Sequence, residues 1–369
     1  MPKKTSQAFW NCRMGSRYSK IYILGEKEQH DTEGFSAKLE FFFPGENIER
    51  FTWVKYVPFS VIFNKVPFVI LRTPRKWEKV LLRNRKVYSL DAKENPVDGW
   101  EWFRLLNEVN NDTADIRKAG NKFLEYLGLI ENPAYNKCYV FATGPSLEKA
   151  IEHDWSDGYR VVCNTIVRDK ELWDHIDPHF VVAGDAIYHF GHTEFAQAFR
   201  RDLLRRLKGG KAKFVYPALF DPIVQRELAE VSEQLIPIQQ GTYKEVGVDL
   251  TQHFELPGLG NVLNLLLLPL ATTLSKEICL WGFDGRAPDD KLFWSNSKKH
   301  SYPELMPSLL ECHSAFFERF VPADKPDSYV KSVQGDELDE MLSRAEAKGF
   351  RFVMMHKSWT DALNKRFVG

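Results

Sequence analysis

The chain has 369 residues, and its 50 Lys plus Arg are balanced by 50 Asp plus Glu, so no global basic field attracts a polyanion and nucleic acid is not an expected partner. Aromatic residues make up 14%, including 27 Phe and 10 Trp, which excludes extended disorder because that much apolar surface must be buried or used in binding. At roughly 100 to 200 residues per domain, the length predicts two or three domains.

The N-terminus, MPKKTSQAFWNC, carries two lysines but no apolar core of a signal peptide. From Lys20 to Leu90 the sequence is rich in aromatic and β-branched residues, with a turn signal at Pro44-Gly45-Glu46-Asn47, and reads as a small β-rich region over 1–95. Trp102, Leu105, Leu106, Val109, Ile116, Phe123, Leu124 and Leu127 then recur at helical spacing, which predicts a helical connector over 96–135. The longest apolar runs, 56–71 and 262–274, fall short of the roughly 20 residues a spanning helix needs. A soluble, cytoplasmic protein is expected, with attachment to the inner face of the cytoplasmic membrane left open. Five widely spaced cysteines without a CxxC or Cys/His cluster give no zinc signature and fit a reducing compartment.

Beyond Pro133 the pattern changes to short apolar runs separated by amphipathic stretches. Strands are predicted at Lys137 to Ala142, Arg160 to Cys163, His179 to Ala183, Lys213 to Tyr216, Glu277 to Trp281 and Arg351 to Met355. Helices are predicted at Ser146 to His153, Thr193 to Leu207, Asp221 to Leu235, Leu259 to Leu274, Glu304 to Phe320 and Glu337 to Lys348. Such alternation predicts an α/β, Rossmann-like domain over 136–369, with a parallel sheet flanked by helices.

In that topology the C-terminal ends of the strands line the ligand crevice. Four of them carry suggestive chemistry. Thr143-Gly144-Pro145-Ser146 is a tight turn in which Ser146 caps a helix whose free N–H groups would hold an anion. Asn164 follows a strand, where its short amide suits a ribose or base edge, though Asn is also a common turn former. Asp185 places a carboxylate in the same layer, or simply caps a turn. Gly282-Phe283-Asp284-Gly285-Arg286 follows a strongly apolar strand and leads through Asp289, Asp290, Lys291, Phe293 and Trp294 to Lys298-Lys299-His300-Ser301-Tyr302. That polar, aromatic and basic segment is expected of a lid supplying cations and a base, or of an ordinary solvated loop. No phosphate loop, GxSxG elbow, HExxH or EF-hand pattern occurs, and the full GxGxxG fingerprint is missing, which disfavours hydride transfer.

A strand ending in GPSL, a next strand ending in CN, a Gly-containing turn at Gly260 before a long helix, a strand ending in G-hydrophobic-D and a following His resemble the bacterial sialyltransferases of glycosyltransferase family 42. The related motility accessory factor and DUF115 proteins share this order. The resemblance covers 136–355. It implies a metal-independent, inverting transferase that moves a nonulosonic acid, sialic acid-like or Kdo-like, from a CMP-activated donor to a bacterial surface glycan or glycolipid, with no cofactor beyond the CMP-sugar substrate. It also implies that Thr143, Gly144, Pro145, Ser146, Asn164, Asp185, Gly260, Gly282, Phe283 and Asp284 form the donor site. His300 would be the general base, and Arg286, Lys291 or Tyr302 would stabilise the departing phosphate, where the sialyltransferases carry tyrosines. His313, in a Leu- and Phe-rich helical stretch, is a rival base. From the DUF115 side comes an alternative, a pterin diphosphokinase-like enzyme using ATP and magnesium, with Asp185, Asp284, Asp289 and Asp290 as ligands. A non-catalytic nucleotide-binding assembly subunit is the third reading.

Overall fold

The computed structural model describes residues 18–27, 32–57, 66–71, 76, 86–110, 114–285, 299–320 and 336–369. The chain divides into two compact units, Met1–Asp91 with Trp100–Thr113, and Ala92–Gly99 with Ala114–Gly369. The connector expected over 96–135 is two helices, Asp98–Val109, which lies mostly in the first unit, and Ile116–Ile130, which lies in the second.

The first unit holds a four-stranded sheet of β1 (Ile21–Leu24), β2 (Phe51–Val54), β3 (Phe68–Ile70) and β4 (Val87–Ser89), in the order β2-β1-β3-β4. All its pairings are parallel, so β1 and β2 need a crossover, and helix Thr32–Phe42 supplies it. That helix was not expected, because the run Phe41-Phe42-Phe43 reads as strand. Its aromatics pack instead as a helix face, with the rings of Phe42 and Trp102 stacked at 5.0 Å.

The second unit is an α/β body around a seven-stranded, all-parallel sheet. Its strands are β5 (Lys137–Phe141), β6 (Tyr159–Cys163), β7 (Phe180–Val182), β8 (Lys213–Pro217), β9 (Leu235–Ile238), β10 (Glu277–Trp281) and β11 (Arg351–Met354), in the order β11-β10-β5-β6-β7-β8-β9. The interior strands are buried almost without interruption, as a sheet covered on both faces requires. The chain steps outward from β5 to β9, then returns to lay β10 on the other side of β5. The change of direction between β5 and β10 is a topological switch point, where a doubly wound sheet opens its crevice.

Several elements differ from expectation. Helix Asp221–Glu227 is shorter than predicted, and after a 3-10 turn at Ala229–Gln234 the chain forms β9, which was not foreseen. β9 is an edge strand, the position at which a sheet tolerates Pro237. Helix Lys170–Ile176, capped by the Asp169 side chain on the Leu172 N–H, was also not foreseen. The segment predicted as one helix from Leu259 starts with a π turn at Leu263–Leu267 and continues as Leu268–Leu274. Among the described residues no helix is long and apolar enough to cross a membrane.

Candidate functional site

At the switch point two strand ends are joined by their own backbones. The Ala142 N–H donates to the Trp281 carbonyl at 2.9 Å, and the Gly144 N–H to the Gly282 carbonyl at 2.8 Å. Beyond them the turn Pro145–Glu152 is a 3-10 helix, not the α-helix expected from Ser146, and its N-cap Gly144 has no side chain to cap it. Asp284 does so from the neighbouring strand. Its carboxylate accepts the Ser146 N–H at 3.2 and 3.1 Å and the Ser146 hydroxyl at 2.8 Å. The expectation that this turn keeps free N–H groups for a ligand anion is therefore corrected, because the Ser146 N–H already serves an anion of the protein itself.

A third strand end contributes His356, just past β11. Its Nε2 lies 2.7 Å from the Ser146 hydroxyl and accepts the Gly282 N–H at 3.0 Å, while Nδ1 lies 2.8 Å from the Lys357 carbonyl. A carbonyl can only accept, so the Lys357 and Gly282 partners assign the proton to Nδ1 and leave Nε2 as the acceptor, and the single Ser146 hydroxyl proton is shared between Nε2 and the Asp284 carboxylate. Trp281 closes the cluster, with its indole N–H donating to the Ser146 carbonyl at 2.9 Å and its ring edge-on to His356. Sequence reasoning missed His356. The available signal was its place immediately after the strand Arg351–Met354, the position that singled out the other strand ends.

His300 is fully buried; neither ring nitrogen has a partner within ordinary hydrogen-bond geometry among the described residues, although the Thr143 backbone lies close enough to act on the imidazole. Burial lowers its pKa from the ordinary value, against weaker opposing effects of the Thr143 backbone and of the Glu148, Asp169 and Asp284 carboxylates. The segment around it is held by its backbone, since the Thr165 hydroxyl donates to the His300 carbonyl at 2.6 Å and Arg168 donates to the Ser301 carbonyl. Asn164 has a left-handed backbone, φ 53°, and its buried side-chain oxygen is also unpartnered. The Asn264 side-chain oxygen, on the π turn that packs against β6, is another such atom. Buried polar atoms without partners are uncommon, and the Asn164 oxygen just past β6 suits a group that arrives with a hydrogen-bond donor of its own.

The other predicted residues stand as follows. Asp185 caps the π turn Ala186–Phe190, accepting the Ile187 and Tyr188 N–H groups at 2.9 and 3.0 Å. The Phe283 side chain joins the hydrophobic core. Gly260 is exposed and has no neighbour within 4 Å of where a Cβ would stand. The Tyr302 hydroxyl donates to Asp202 at 2.7 Å, so the donor it would offer a phosphate is already engaged. His313 is buried and tied through Nδ1 to Asp98 at 2.8 Å. Arg286, Asp289, Asp290 and Lys291 lie outside the described residues. Among the described residues no group of three His, Cys, Asp or Glu side chains is arranged to hold a metal ion.

Asp185 and two imidazoles, the buried His189 and the half-buried His179, have opposed pH linkages in the second unit. His189 accepts the Asp185 N–H on Nδ1 at 3.2 Å, and His179 accepts the Arg160 N–H on Nδ1 at 3.1 Å. Burial, with the nearby arginine adding to it in each case, pushes them down to about 3 and about 4 from 6.5. Both pKa values are depressed, so their contribution to stability is full above pH 6.5 and is lost as pH falls. Burial pushes Asp185 the other way, up to about 6 from 3.8, and its contribution is lost as pH rises through about 6. Between pH 6 and 4 these three groups by themselves contribute a net of one proton, two taken up by the unfolded chain less one held by the folded chain, about 1.4 kcal/mol per pH unit, and the lowered pKa of His300 acts in the same direction. Urea denaturation across that range should show Asp185→Asn making stability fall more steeply on acidification and His179→Gln making it fall less steeply, each by about one proton. Equal slopes in all three proteins would refute the assignment.

No family model, no curated protein and no solved structure matches this chain.

Proposed function

We propose that the protein is an inverting glycosyltransferase that moves a nonulosonic acid from a CMP-activated donor to a hydroxyl of a bacterial surface glycan or glycolipid, without a metal and on the cytoplasmic side of the membrane. The observation that carries this reading is the buried His300, lowered in pKa by burial and lying against the Thr143 backbone just past β5. An imidazole kept neutral near pH 7 is suited to take the proton of an acceptor hydroxyl. As that proton leaves, the acceptor oxygen bonds to the anomeric carbon, and the bond from that carbon to the CMP phosphate oxygen breaks.

Asp284 and Ser146 support the donor half of the reading. A carboxylate at a strand end of the switch point is suited to accept ribose hydroxyls, as acidic residues do in other doubly wound sheets. The same carboxylate repels a phosphate from the Gly144 turn, so in this reading the donor turns its ribose, and not its phosphate, toward Asp284. The Asn164 amide, with its unpartnered oxygen, is available to a hydrogen-bond donor of the ligand.

Thermal denaturation of the full chain with CMP, CDP, UDP, GDP and ATP, each with and without magnesium, tests the reading. A ligand that binds only the folded state at a hundredfold excess over its Kd adds about 2.7 kcal/mol. CMP is expected to raise the Tm without magnesium. Stabilisation by ATP with magnesium alone would overturn the proposal in favour of a phosphoryl-transfer enzyme.

A further inference from the structure

The loop that follows β11 presents one large aromatic ring to solvent from an otherwise fixed backbone. Trp359 is 63% exposed, whereas Ser358 and Thr360 on either side are 9% and 8% exposed. The Trp359 N–H donates to the Asp284 carbonyl at 2.7 Å, and the Ser358 hydroxyl to the Phe283 carbonyl at 2.7 Å. The Ser358 N–H is held by the Asn364 side chain at 3.2 Å, and the Thr360 carbonyl accepts the N–H groups of Leu363 and Asn364 at 2.9 Å each. Gly285, with φ +75°, lies so close that a Cβ there would stand 2.8 Å from the Thr360 nitrogen. The loops after β10 and β11 are thus one piece of structure, with the Trp359 backbone one hydrogen bond from the Asp284 backbone. Among the described residues nothing stacks on it or pairs with its N–H.

We propose that Trp359 is the platform on which the nucleobase of the nucleotide stacks. This rests on the reading above, in which Asp284 holds the ribose. A base is joined to its ribose by a single glycosidic bond, so a ribose seated on the Asp284 carboxylate keeps the base within reach of the joined loops after β10 and β11, from which Trp359 projects. A flat, exposed indole on a pinned backbone suits a planar ring, because stacking needs a rigid face and loses little rotamer freedom there. An aromatic platform accepts any base, so discrimination between cytosine and other bases falls to hydrogen bonds made elsewhere in the site.

Isothermal titration of the full chain with CMP, cytidine and ribose 5-phosphate, using wild type, Trp359→Ala and Trp359→Phe, tests the proposal. Trp359→Ala should weaken CMP and cytidine about tenfold or more, by loss of one stacking contact, and leave ribose 5-phosphate unchanged. Trp359→Phe should keep most of the affinity. Because the side chain is exposed, urea midpoints should stay equal, so the comparison reports binding and not folding. If wild type binds CMP and Trp359→Ala binds it equally well, the platform is wrong while the nucleotide reading stands. If ribose 5-phosphate weakens as much as CMP, Trp359 acts on the ribose side and the platform is again wrong. If wild type binds neither CMP nor cytidine, the nucleotide reading fails and the platform fails with it.

Discussion

Replacing His300 by glutamine is expected to lower kcat for sugar transfer from the CMP-activated donor by about 10²- to 10⁴-fold, the range over which a positioned general base acts. Glutamine retains polar atoms and much of the imidazole volume but cannot take the proton, so the folded state should persist, with an unchanged circular dichroism spectrum. Burial holds the His300 pKa below its ordinary value of 6.5. The neutral base therefore survives into mildly acid solution, and the acid limb of the kcat/KM profile should fall below pH 6.5. His313 makes the informative contrast. Its Nδ1 is hydrogen-bonded to Asp98 with both side chains almost wholly buried, and losing one partner of such a buried hydrogen bond costs about 1 to 3 kcal/mol. His313→Gln should thus shift the urea midpoint before it affects turnover. Loss of turnover in His313→Gln with normal turnover in His300→Gln would transfer the role of base to His313.

Gly282→Ala should be the most damaging single methyl group in the second unit. Gly282 has φ +80°, a left-handed conformation that costs an L residue roughly 1 to 2 kcal/mol. In addition, its Cβ would stand 2.1 Å from the Ala142 carbonyl oxygen and 2.9 Å from that carbonyl carbon. The obstacle is the backbone at the end of the central strand β5, which cannot swing away as a side chain can. Relief requires β5 and β10 to part, which breaks the Gly144 to Gly282 hydrogen bond and the Gly282 to His356 contact. Together these effects predict a loss of at least about 3 kcal/mol in urea denaturation. Gly260→Ala is the matched control, because its Cβ meets nothing within 4 Å, and a change of at most about 0.5 kcal/mol is expected. Equal midpoints for the two variants would refute this account of the strand-end turn.

The identity and parallel nature of the main sheet were legible in the sequence because each interior strand is buried on both faces and so reads as an unbroken apolar run. Glu277–Trp281 is the clearest case, with its observed ends where the pattern placed them. β9 escaped because its four residues end an amphipathic stretch and include Pro237, and only an edge position makes that proline acceptable. Helix Thr32–Phe42 escaped because aromatic composition favours strand locally, while the parallel pairing of β1 with β2 demands a crossover.

At the site, local sequence determined that Gly144, Asn164 and Gly282 sit at strand ends, since turn chemistry is written in adjacent residues. It did not determine what those ends do to one another. Asp185 fills its own cap, whereas Asp284 reaches across to cap the turn of another strand, and both look alike in sequence as carboxylates after apolar runs. His356 joins Ser146 and Gly282 only because β10 lies between β5 and β11, a strand order that residues far apart in the chain settle by packing. The zero net charge, the strands of the main sheet other than β9, and the turns that follow them were thus set by composition and local pattern. The convergence of Ser146, Asp284 and His356, the isolation of the buried His300 and the exposure of Trp359 were decided by tertiary structure, because each depends on which distant segment occupies the neighbouring space.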